Sequence, residues 1–159
     1  MKNKPGLLIL LALFAITPQI IPIYAQLAPI PAVVTGAGAA TFGPGAVLSG
    51  LSLSTMRFGI GVDLPGDGTA SGDFQATLFT ASRKIIVEGK ASSGSKGLTT
   101  TTFSGTCSID LGDGSAITTG LPFTVSVATP AGGTSTLGLV IGTTTLPSAA
   151  VSAGAVRVQ

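Results

Sequence analysis

Few groups in this chain can do chemistry. Its 159 residues carry six carboxylates, eight basic side chains and one cysteine, with no histidine and no tryptophan. Without imidazole, neither a Ser-His-Asp nor a Cys-His relay can be assembled, and the commonest metal-ligating side chain is missing. Acid–base work would fall to Asp63, Asp67, Asp73, Glu88, Asp110 and Asp113. Two carboxylates can in principle flank a glycosidic bond as acid and base. Most of these six lie in or beside Gly turns, where an aspartate ordinarily accepts a hydrogen bond from backbone two residues on. The chain is therefore read as non-enzymatic, with no catalytic, cofactor-binding or metal-binding residue assigned.

The remaining candidates have bland readings too. Asp63, Asp67 and Asp73 surround one loop, but a Ca²⁺ site wants six to eight oxygens, and their spacing fits no recognised cation loop. Turn formation is the better reading. Cys107 has no second cysteine to pair with inside the chain, which leaves an intermolecular bridge, a reactive thiol or a small buried hydrophobe. It alternates in phase with Phe103 and Ile109, so burial is expected. Arg83, Lys84, Lys90 and Lys96 cluster in sequence around Glu88. They could read an anionic polysaccharide or phospholipid, or guard an edge strand against pairing with a neighbour. The edge guard is the expectation.

The start of the chain points outward from the cell. Lys2 and Lys4 precede an apolar run over 7–16, and Ile23-Tyr24-Ala25 ends the segment. That is the order of a signal peptide over 1–25, cleaved after Ala25. Pro18 and Pro22 interrupt the stretch before it reaches the roughly 20 apolar residues of a spanning helix. The product is expected to be secreted, extracellular or periplasmic, with no membrane span after cleavage. Loss of Lys2 and Lys4 balances the charges, which leaves no electrostatic footprint for nucleic acid. Loss of Tyr24 removes the only tyrosine, so the aromatic anchors favoured at binding hot spots are reduced to phenylalanine.

The elements that would position these groups are strands. Residues 26–50, rich in Pro, Gly and Ala, read as a linker or N-terminal arm with one edge strand near 33–42, and residues 51–159 as an all-β domain. Met56, Phe58, Ile60, Val62 and Leu64 alternate inward, with Gly59 and Gly61 outward to admit a neighbouring backbone or a bend. Phe74, Ala76 and Leu78 share a face and leave Phe79 outside. Ile85, Val87 and Gly89 point inward, and residues 92–97 form a polar turn.

A central hairpin spans 99–129. Phe103, Gly105, Cys107, Ile109 and Leu111 face Ile117, Leu121, Phe123, Val125 and Val127 across a Gly112-Asp113-Gly114 hinge. Leu137, Leu139 and Ile141 follow, then Val156 and Val158, with Gly154 marking a bulge. About eight short strands without an amphipathic helix predict an antiparallel β-sandwich or β-barrel.

The segments MRFGIGV, SGDFQ, FSGTCSI, PFTVSVA and AGAVRV, spread over 52–159, resemble the small exported bacterial β-domains of the post-COAP type. Where such domains often carry an acidic Gly-Pro-rich turn after the Phe-Thr-Val run, this chain has Thr129-Pro130-Ala131-Gly132-Gly133. The resemblance implies an all-β fold and brings no catalytic residues. The expected function is a non-catalytic domain that serves structurally or contacts a protein or cell-envelope partner. The alternative is a closed barrel whose apolar interior carries a small hydrophobic ligand. A filled interior argues for the first and an apolar cavity for the second.

Overall fold

Alternating apolar and polar residues become ten strands in the computed structural model, which describes residues 30–159. The expected signal peptide and its cleavage position lie outside the described residues. Eight strands are long: β1 (Ala32–Phe42), β3 (Leu51–Leu64), β4 (Thr69–Thr80), β5 (Lys84–Lys96), β6 (Thr100–Asp110), β7 (Thr118–Ala128), β8 (Thr136–Ile141) and β10 (Ala149–Val158). The other two, β2 (Val47–Leu48) and β9 (Thr144–Thr145), are two-residue ribbons hung on β3 and β8.

Consecutive long strands pair antiparallel from β3 round to β8, and β10 joins β8 to β1. Because β1 also pairs with β3 from Ala32 opposite Leu64 to Thr41 opposite Thr55, the sheet closes on itself. The all-β antiparallel expectation therefore holds, in its barrel form. Closure corrects the view of the N-terminal arm: β1 forms near 33–42 as expected, yet both its edges are paired, so it is a stave of the wall and no edge strand. The barrel begins at Ala32, well before residue 51.

The interior is apolar. Phe74, Phe103 and Phe123 occupy its middle, with ring centroids 5.7–6.3 Å apart. Met56, Leu64, Leu78, Ile85, Leu137 and Leu139 are among the large side chains buried round them. The outer wall carries Ser, Thr, Asp, Gln and Lys, as at Ser71, Asp73, Gln75 and Thr77 along β4. A lipid-facing barrel has the reverse arrangement, apolar outside and polar within.

Three local expectations change. Residues 92–97 do not turn: β5 runs on to Lys96 past a bulge at Ser92, and the chain reverses beyond it. The Ser-rich end finds partners on the Thr-rich start of β6, with Ser93 and Ser104 hydroxyls 3.0 Å apart. Ile117 falls outside β7 and is 58% exposed. An extra residue on β7 between Leu121 and Thr118, with Gly120 at φ 74°, breaks the alternation that would have carried Ile117 inward. Finally, nothing comes within 4 Å of the position of a Cβ at Gly59 or Gly61, so no other backbone packs there.

Candidate functional site

The turn aspartates do what their spacing suggests. Asp67 accepts from the amide and hydroxyl of Thr69, Asp110 from the Gly112 amide at 2.8 Å, and Asp113 from the Ser115 amide at 2.9 Å. Gly112 and Gly114, at φ 64° and 81°, supply the left-handed backbone that the hinge needs. The Thr69 hydroxyl and then its amide hold the Asp67 carboxyl below the usual carboxylate range. Ser115, through its hydroxyl and amide, does the same for Asp113, with help from the Arg83 charge. Anionic acceptors fixed this way close turns.

The carboxylates of the wall are solvated. Asp63, Asp73 and Glu88 all sit on exposed outer positions. Asp73 and Glu88 border one outer concavity of about 340 Å³, with Gln75, Lys90, Thr106 and Ser108. A general acid gains its raised pKa from desolvation. Asp73 is 67% exposed and is held at 3.4 Å by Lys90, itself 85% exposed, an ion pair of little energetic weight. Asp63, Asp67 and Asp73 do not converge: among the described residues no three His, Cys, Asp or Glu side chains lie together as a metal site would require.

The four cations are dispersed along β5 and not gathered into a patch. Arg83, just before the strand, pairs with Asp113 at 3.1 Å. Lys84 lies 5.9 Å from the centre of the Phe79 ring, Lys90 is mid-wall and Lys96 ends the strand. At about 3.3 Å per residue, Lys84 and Lys96 stand up to about 40 Å apart. The edge-guard expectation fails as well, because β5 is paired on both sides, to β4 and to β6. Charges on a doubly paired strand have no edge to protect.

Sequence reasoning missed one arrangement. Phe79 is flanked by Lys84, its cross-strand partner on β5, and by Arg57 of β3 at 5.8 Å. The signal was available in Phe79, an aromatic out of phase with its strand, whose face attracts cations. Cys107 is buried as expected, and burial pushes its thiol pKa up. A raised pKa lowers the thiolate fraction and makes the group a poor nucleophile.

No family model matches the chain, and neither a curated protein nor a solved structure is similar to it. What defines the molecule is its architecture, an antiparallel barrel with an aromatic interior and a polar wall. Among the described residues no helix is long and apolar enough to cross a membrane.

Proposed function

We propose that this chain is an exported, non-catalytic β-barrel domain of the post-COAP type, acting structurally or in protein contacts at the cell surface or in the extracellular space. The observation that carries this reading is the filled interior. A carrier of a hydrophobic ligand needs an apolar cavity of about 300 Å³ or more. Here Phe74, Phe103 and Phe123 stand in mutual contact where that ligand would lie. One concavity of about 340 Å³ lies on the outer wall, among Asp73, Glu88 and Lys90. Recognition by such a domain falls to its wall and rims. The basic and apolar segments at the start of the chain support export, and the polar wall agrees with aqueous surroundings.

The test is native mass spectrometry of the protein purified from expressing cells, followed by titration with a long-chain fatty acid. The expected species is the bare polypeptide beginning at Gln26, with no saturable uptake. A co-purified lipid or stoichiometric fatty-acid binding would establish the carrier. A soluble product retaining residues 1–25 would overturn cleavage.

A further inference from the structure

The seam between β8 and β10 is the shortest in the barrel wall. It consists of Ala149 and Ala150 opposite Leu137 and Thr136, with one further bond from the Val151 amide to the Ser135 carbonyl at 2.9 Å. Beyond that point β10 is paired with β1 alone. Val33 and Gln159 exchange both backbone bonds at 3.0 Å. Antiparallel alternation from that pair directs the backbone groups of Arg157 and Ala155 at β1, and those of Gly154, Val156 and Val158 away from it. Among the described residues no backbone bond meets this second set.

Exposure agrees. Ser152, Ala153, Gly154 and Ala155 are four exposed residues in succession, beginning at the bulge that leaves Ser152 without a partner on β1. The neighbouring β7–β8 loop is exposed throughout 129–134. Natural edges are ordinarily guarded by lysine, proline or inward charge. This one carries a single charge, Arg157, among alanines, a serine, a glycine and valines.

We propose that this edge pairs antiparallel with β10 of a second copy, about a two-fold axis through Val156. The outward-directed residues are symmetric about that position. Val156 meets its own counterpart, Gly154 meets the partner's Val158, and all six backbone groups are bonded. Arg157 then lies opposite the partner's Ala155. A register centred on Arg157 would satisfy fewer groups and set two guanidinium ions directly opposite each other. The pairing consumes the same edge on both copies, so assembly closes at two. It leaves the barrel interior untouched, and its test is independent of ligand carriage and of export.

Sedimentation equilibrium over a concentration series decides the matter, using the exported chain and its Ala155→Glu and Ala155→Lys variants. Ala155 is exposed, so both variants fold, which a thermal melt verifies. Each substitution faces Arg157 twice per dimer. Glutamate should tighten the dissociation constant about three- to tenfold, and lysine should weaken it by a similar factor. Hydrogen exchange at the Val156 and Val158 amides should slow as protein concentration rises. A species that stays monomeric throughout, with those amides exchanging at one rate, overturns the proposal. So does a dimer indifferent to both substitutions.

Discussion

The ring of Phe123 lies over Gly89. A Cβ at Gly89 would stand 2.7 Å from Phe123 Cε1 and 2.9 Å from Cζ, well inside van der Waals contact. Both residues are buried, on strands separated by β6. Gly105, the cross-strand partner of Phe123, also lacks a side chain. The large ring thus fills the space that Gly89 leaves, the interdigitation of large and small residues by which a closed core reaches close packing, whereas a Cβ at Gly105 would meet the Lys90 backbone instead. On its other side the ring stacks on Phe74 at 5.7 Å and 16°.

Gly89→Ala should therefore destabilise the barrel by overpacking, by about 1–3 kcal/mol. Adding Phe123→Leu should recover part of that loss, since the shorter side chain withdraws from the new methyl. Four denaturant melts give the double-mutant cycle. Strict additivity would mean that the ring swings aside and that the two residues are not coupled.

Phe123→Ala should cost about 3–5 kcal/mol, from lost transfer energy and the cavity left between Phe74 and Phe103. Thr124→Ala, one residue on and facing outward, should cost under about 1 kcal/mol. Because a domain of this size holds only about 5–15 kcal/mol in all, the first variant should melt far earlier than the second. Equal losses would contradict the assignment of faces along β7.

Cys107 should react slowly with a thiol reagent in the native protein and quickly in denaturant, because burial both hides the sulfur and raises its pKa. Rapid native labelling, or a covalent dimer on a non-reducing gel, would show the thiol at the surface.

Acid should destabilise the protein from about pH 4 downward. Asp67 and Asp113 have folded pKa values below their ordinary ones, so the unfolded chain, titrating near 3.9, takes up protons first. Their contribution is complete above that unfolded value and is lost as pH falls through the folded one. Melting temperature should be flat through neutral pH and drop below about 4. The drop should be shallower in an Asp67→Asn, Asp113→Asn double variant. An unchanged slope in that variant would assign the acid sensitivity to other groups.

Alternation with period two, read from the sequence alone, determined which side chains are wet and which are buried: Met56 to Leu64, Phe74 to Leu78, Phe103, Cys107, Phe123 and Val125 all lie where that period puts them. The spacing of Asp67, Asp110 and Asp113 from their glycines likewise determined their turn hydrogen bonds, since donor and acceptor are two residues apart. Beyond the central hairpin, whose two strands do pair as β6 and β7, the neighbours of each strand were not legible. β1 meets β10 across more than a hundred residues, and nothing in the alternation of Val34 or Phe42 says whether one edge or both will be paired. The same blindness made β5 look like an edge and gave no sign that part of β10 is left unpaired on one side among the described residues, because a period describes faces and not strand neighbours. Only the tertiary structure decided that Gly89 would lie under Phe123, and that Val156 would bury its side chain while its backbone faced away from β1. Each of these depends on a contact between segments whose separation in the chain no local pattern encodes.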